Sequence, residues 1–245
     1  MNTSLSKGQI QFIKELRQKE GRKLNGLFIV EGEKMLDELL ATGLTIQTIY
    51  HTVEYALSLQ LKPQNTIQIS QKDLDRISLL KTPNKVLATV FIPPHVAVSS
   101  HKVIYCCNIQ DPGNTGTILR IADWYGVKDV LFSSGSVDVY APKVVQSTMG
   151  SIFRINCTYD DNLKELKHLK DEGYAVYGAD MQGVNLDKVD FSEKSVLVMG
   201  SESHGIPHEL RAIIDTFVTI PKKGLSESLN VGVACGIICQ KMIFN

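Results

Sequence analysis

Two rhythms of apolar and polar positions run along this chain, and the change between them predicts its organisation. From Ser6 to Lys23, Phe12, Ile13 and Leu16 recur at helical spacing with basic side chains between them, which predicts an opening helix. Leu27–Val30 is a short apolar strand candidate. Glu33–Ala41 carries Met35, Leu36, Leu39 and Leu40 on one helical face. Thr45–His51 and Thr66–Ser70 read as strands, Lys72–Leu80 as a short helix, and Val86–Ile92 as a closing β segment. Pro93-Pro94 and the polar Ser99-Ser100-His101 then punctuate the chain. The pattern predicts a small α/β domain over 1–94, a linker over 95–102 and a second domain over 103–245.

The second domain alternates strands and helices more regularly. Strands are expected at 103–108, 129–132, 152–155, 175–178, 195–199 and 217–220. Helices are expected at 115–125, 143–149, 162–171 and 229–243. Strands that recur between helical stretches favour an α/β fold with a mostly parallel sheet covered on both faces. Ligands of such sheets gather beyond the C-terminal ends of the strands.

Composition leaves this picture in place and narrows the rest. At 245 residues, 43% hydrophobic and 21% charged, the chain can bury a proper core and is not a disordered or coiled-coil sequence. No apolar run is long enough to span a membrane, and the polar start carries no apolar signal core. Five cysteines without a C-x-x-C pair are expected to be reduced, as in the cytoplasm. Net charge is zero, but the first 23 residues hold six basic side chains against two acidic ones. Lys7, Lys14, Arg17, Lys19, Arg22 and Lys23 either contact nucleic-acid phosphates or form a solvated helix face.

Three loops are richer in glycine and polar side chains than ordinary connections. Asn108–Arg120 runs from a buried strand through Asp111-Pro-Gly-Asn-Thr-Gly into a helix, where Asn114 can cap the helix or hold a neighbouring loop and Arg120 offers five donors to a ligand or to a surface ion pair. Val196–Gly205 leaves a strand for Gly200-Ser-Glu-Ser-His-Gly, where Gly200 can expose backbone amides and Glu202 can orient a donor. Ile220-Pro-Lys-Lys-Gly leads through Ser226, Ser228 and Asn230 into an apolar helix that a serine could cap. His204 and His208 lie four apart, but the glutamate of a zinc helix is absent from the first histidine and Pro207 intervenes, so no metal is expected. G-x-G-x-x-G, Walker A and G-x-S-x-G are all missing, which argues against dinucleotide, ATP and serine-hydrolase chemistry.

Taken together, the three loops resemble the motifs of the SpoU family of RNA ribose 2′-O-methyltransferases, in order and with comparable spacing across 103–243. Arg22-Lys-Leu-Asn-Gly-Leu-Phe-Ile-Val-Glu-Gly32 and Lys81-Thr-Pro-Asn-Lys-Val-Leu-Ala88 resemble the small substrate-binding module of its ribosomal RNA modifying members. The resemblance implies a deep trefoil knot in the C-terminal domain, a homodimer, S-adenosylmethionine as cofactor, and neither metal nor membrane. It implies cofactor contacts at Gly200, Ile220 and Leu229, and catalytic or positioning roles for Arg120, Asn114, Glu202, Ser228 and Asn230. A guanidinium stays protonated in proteins, so phosphate anchoring and charge stabilisation suit Arg120 better than proton abstraction. The implied substrate is RNA, with 23S ribosomal RNA favoured by the N-terminal module. Transfer RNA is the alternative within the family, and a non-enzymatic RNA-binding protein the alternative outside it.

Overall fold

Where the opening helix was expected to run on to Lys23, the chain breaks into two: α1 (Lys7–Glu15) and α2 (Lys19–Asn25). The computed structural model describes residues 4–56, 65–201 and 203–244. Ser6 starts α1 with reciprocal bonds, its Oγ accepting from Gln9 N at 3.2 Å and its N–H donating to Gln9 Oε1 at 2.9 Å. The break follows from Arg22, whose buried guanidinium donates to the carbonyls of Leu16 and Arg17 at 2.9 and 2.8 Å. Those carbonyls lie where α1 ends and would otherwise lack partners. After α2 come β1 (Leu27–Glu31), α3 (Glu33–Leu40), β2 (Ile46–His51), α4 (Val53–Ala56), β3 (Thr66–Gln68), α5 (Gln71–Ile77) and β4 (Val86–Phe91). The four strands form one sheet in the order β1-β4-β2-β3, with β4 antiparallel to both β1 and β2. Ile13, Leu16, Leu74, Ile77 and Leu87 bury fully in the core beneath it.

The second sheet is built from β5 (Lys102–Cys106), β6 (Asp129–Ser133), β7 (Asn156–Asp160), β8 (Ala175–Asn185), β9 (Ser195–Met199) and β10 (Thr216–Thr219). Their order is β10-β8-β9-β5-β6-β7 and every pairing is parallel. Interleaved are α6 (Pro112–Trp124), α7 (Pro142–Ser147), α8 (Lys164–Asp171), α9 (His208–Arg211) and α10 (Val231–Phe244). The central strands β5 and β9 are buried almost end to end, as sheets covered on both faces require. The α/β class expected from the sequence is the class observed.

Two compact units emerge from the contacts: residues 1–94 with 138–153, and residues 95–137 with 154–245. The segment Asp138–Phe153, including α7, therefore belongs to the first unit. There α7 packs against β1, Phe28 meets Tyr140 at 4.9 Å, and Asp138 pairs with Arg22 at 2.5 Å. The strand expected at 152–155 is instead a 3-10 turn over Ser151–Phe153, and the strand begins at Asn156. All five cysteines are free, with Cys157 half-buried and the others buried. No helix among the described residues is long and apolar enough to cross a membrane.

Candidate functional site

Beyond the ends of β9 and β10 lies a cavity of about 480 Å³, built within the second unit. That volume is typical of small-molecule and cofactor sites. Its apolar lining comes from Met199, Val218, Ile220, Leu229, Ala234 and Ile238, and its charged edge from Asp180 and Lys222. Gly200 and Ser228 also line it, so the two later loops converge on one space. Gly200 has to be glycine: a Cβ there would lie 2.4 Å from the carbonyl carbon of Gly205. The loop is closed by a bridge between Ser201 and Gly205, whose N–H donates to Ser201 O at 2.8 Å.

The first loop joins this arrangement through a hydrogen bond between asparagines. Asn230 Nδ2 donates to Asn114 Oδ1 at 2.8 Å, tying the start of α10 to the start of α6. Asn230 Oδ1 accepts from Gly232 N and Val233 N at 3.0 and 3.3 Å, so asparagine caps α10 where a serine was expected. Ser226 Oγ instead donates to the Ser228 carbonyl at 3.0 Å. Asp111, not Asn114, caps α6, accepting from Asn114 N at 2.7 Å. The caps fall on neighbouring residues because Ser, Asn and Asp share the same capping chemistry, while Asn114 instead holds the neighbouring loop. Helices α6 and α10 pack closely at Gly232, where a Cβ would meet Thr117 Cγ2 at 2.7 Å.

Arg120 sits on the exposed side of α6 and is not part of the cavity lining. Its guanidinium makes no hydrogen bond or ion pair with the described residues. Glu202, the remaining expected site residue, lies outside the described residues. His204 Nδ1 stands 2.8 Å from Ser203 Oγ.

Sequence reasoning missed Asp180. It lies on β8 and reaches the cavity edge, accepting from Arg211 Nη1 at 2.6 Å and from Gln182 N at 2.9 Å. Burial alone would raise its carboxyl pKa, but the bonds from Gln182 and Arg211 outweigh that and hold it below its ordinary value. Arg211 in turn lies over the Phe217 ring at 4.3 Å. No motif marks Asp180, since its partner is 31 residues away.

A parallel sheet with a cofactor-sized cavity past its strand ends, in a chain that carries a second, smaller α/β unit, defines an α/β protein with a ligand site at the usual place. Comparison with known proteins makes that class specific. Residues 101–240 match the SpoU rRNA Methylase family and residues 7–88 match the MRM3-like substrate binding domain. The chain belongs to the SpoU rRNA methylase family, and it is an RNA methyltransferase. It is 30% identical over 227 residues to the 23S rRNA (guanosine(2553)-2'-O)-methyltransferase of Bacillus subtilis, covering 92% of each chain. Among solved structures it resembles an RNA methyltransferase of the TrmH family from Porphyromonas gingivalis, at 35% identity, TM-score 0.90, and 97% and 98% coverage. An AdoMet-bound rRNA methyltransferase from Sinorhizobium meliloti matches at 25% identity, TM-score 0.86, and 98% and 97% coverage.

Proposed function

We propose that this chain transfers a methyl group from S-adenosylmethionine to a ribose 2′-hydroxyl of 23S ribosomal RNA. The observation that carries the reading is the convergence of two motif loops on one cavity, with the third tied to them through Asn114 and Asn230. The cavity fits the cofactor chemically. Its apolar walls suit an adenine ring and a thioether, and the opposite charges of Asp180 and Lys222 suit a molecule carrying both an ammonium and a carboxylate. S-adenosylmethionine supplies an electrophilic methyl group.

The chain's own residues then bind and orient. Gly200, Ile220 and Leu229 hold the cofactor, with the tight turn at Gly200 bringing backbone within reach of it. The Asn114–Asn230 bond fixes the two loop bases against each other, so reacting groups are held in line; in well-oriented systems such positioning is worth up to roughly 7–11 kcal/mol. Ser228, on the cavity wall, is placed to touch substrate or cofactor. Arg120 anchors an RNA phosphate and stabilises the charge that develops as the hydroxyl loses its proton. Glu202 is assigned to orienting that network.

Arg120 stands outside the cavity lining of its own chain, which supports a homodimer in which a second copy completes the site. The exposed apolar face of α6 and α10 supports the same reading: Trp124, Val233, Ile237 and Phe244 are solvent-facing in the single chain. The loop between β10 and α10 returns from the sheet edge to α6, a path that suits the trefoil knot implied by the family resemblance. The reading places the enzyme in the cytoplasm, with its RNA.

The test uses purified chain, radiolabelled S-adenosylmethionine, and ribosomal and transfer RNA from cells lacking this gene. Label should appear at one 2′-O-methyl position of 23S RNA and vanish with Arg120→Ala. Label in transfer RNA alone would overturn the substrate, and cofactor binding without transfer to any RNA would overturn the reaction.

A further inference from the structure

The first unit contains a second cavity, of about 290 Å³, that the methyl-transfer chemistry does not use. Strand alternation points Ile29 and Glu31 of β1 to the same face, and α7 lies against that strand. The walls are apolar: Ile29, Leu80, Pro142 and Val145. The polar lining comes from Glu31 of β1 and from Lys143, Gln146 and Ser147 of α7. Apolar walls with a few hydrogen-bonding groups among them suit a heterocyclic base.

Glu31 is only 5% exposed and its carboxylate is incompletely used. Ser78 Oγ donates to Oε1, and Leu79 N donates to Oε2 at 3.1 Å. A carboxylate has about four lone-pair sites, so these donors leave it room to accept another. Burial pushes the Glu31 carboxyl up against the bonds from Ser78, Leu79 and Leu80 and the Arg17 charge. Across the cavity, the side chains of Lys143 and Gln146 make no hydrogen bond or ion pair with the described residues.

The rim is held rigidly. Arg17 Nη2 donates to the Ile77 and Ser78 carbonyls at 3.0 and 3.2 Å. Lys85, with a left-handed φ of 43°, is fixed by its ion pair to Glu33 at 2.9 Å and by Thr52 N donating to its carbonyl at 2.9 Å. Between these anchors Lys81, Thr82 and Asn84 are exposed. A loop held in strain at one end and clamped at the other is the kind that binding sites use.

We infer that this cavity receives one unstacked base of the RNA substrate, Glu31 accepting from an amino or imino N–H while Lys143 and Gln146 donate to ring or carbonyl acceptors. A phosphate is a poor occupant, because the Glu31 carboxylate would repel it. RNA readers commonly splay single-stranded bases into pockets of this kind, and the exposed Lys81 follows the lining residue Leu80 in the chain, a cation for the flanking phosphate. The inference rests on the RNA methyltransferase reading and adds a base contact away from the methylated ribose.

The experiment uses the full chain and the shortest 23S transcript that it methylates. Gln146→Ala removes one edge contact without changing charge and should raise the RNA KM roughly tenfold, with kcat and S-adenosylmethionine affinity unchanged. Single abasic substitutions along the transcript should then reveal one position, distinct from the methylated nucleotide, that weakens wild-type binding by a similar factor. At that position the abasic change should have no further effect in Gln146→Ala, because both remove the same contact. A KM within twofold of wild type, or fully additive effects at every position, would overturn the inference. Absence of methyl transfer by the wild-type chain would instead overturn the underlying reading.

Discussion

The two cavities are made in opposite ways. The one in the second unit is built largely from backbone, small residues and apolar side chains at strand ends, with Gly200 packed so tightly that no side chain fits. The one in the first unit is built from long-range side-chain pairing: Glu31 to Ser78 and Leu79, with α7 brought in from more than 100 residues along the chain. A backbone-built site leaves a short motif in the sequence. A side-chain-built site leaves scattered residues whose spacing says nothing. The first kind should be intolerant at single positions, and the second should fail gradually as its supports are removed.

The largest expected effect tests the backbone-built site. Gly200→Val forces a side chain into Gly205 and should abolish measurable S-adenosylmethionine binding by calorimetry, on the order of a hundredfold or more. Its far-ultraviolet circular dichroism should stay that of the wild type. Retained affinity would show that the loop can open at little cost.

Next comes the support of the first unit. Arg22→Ala leaves Asp138 without its partner and uncaps the Leu16 and Arg17 carbonyls. Removing one member of a buried pair costs about 3–5 kcal/mol, and urea unfolding should show a first transition that moves to lower denaturant. S-adenosylmethionine affinity should be unchanged, since the cavity lies in the other unit. Equal loss in both would dissolve the distinction.

A smaller effect is expected at the tie between the motif loops. Asn230→Ala removes the α10 cap and the bond to Asn114, and should cost about 1–2 kcal/mol in thermal unfolding of the second unit. Turnover should fall more than cofactor affinity, because the bond aligns loops instead of lining the cavity.

The smallest effect is in pH. Asp180 and Asp215 both titrate below their ordinary 3.8 in the folded chain. In each, burial pushes the carboxyl up, but the bonds from Gln182 and Arg211, and from Lys170 and Val176, pull it down further. As pH falls the unfolded chain therefore takes up these protons first. The stabilisation is complete above the ordinary value and is lost as pH drops through the folded values. Urea midpoints for the second unit should be flat from pH 7 to 5 and fall below about pH 4. Asp180→Asn should flatten part of that fall; an identical profile would remove Asp180 from the account.

Much of the fold could be read from the chain. The apolar runs of β5 and β9 and the helical faces of α3 and α6 lie close to where periodicity put them, because their burial is set by neighbours in sequence. What periodicity missed depends on distant partners. Arg22 looked like a surface cation but is buried on Asp138. Of the six basic residues at the start, it and Arg17 serve the fold, while Lys7, Lys14, Lys19 and Lys23 stay exposed. Strand β7 was misplaced because Asn156 and Asp160 break its apolar pattern: Asn156 donates to Asp129 at 2.7 Å, and Asp160 accepts from the first turn of α8. In the site, Gly200, Ile220, Ser228 and Leu229 were legible as motif positions. Asp180 was not, since its value comes from Arg211.

The passage of Asp138–Phe153 out of the second unit and into the first bears on how the protein is made. While the ribosome has produced only the first 94 residues, Arg22 has no counter-ion and β1 lacks the helix that packs against it. The amino-terminal module must therefore wait, incomplete, until residue 153 has left the exit tunnel, by which time β5 and β6 have also emerged. Completion of the first unit thus waits on residues that emerge after the first strands of the second, and a gene fragment ending at the Pro93-Pro94 punctuation would encode a module missing one of its walls.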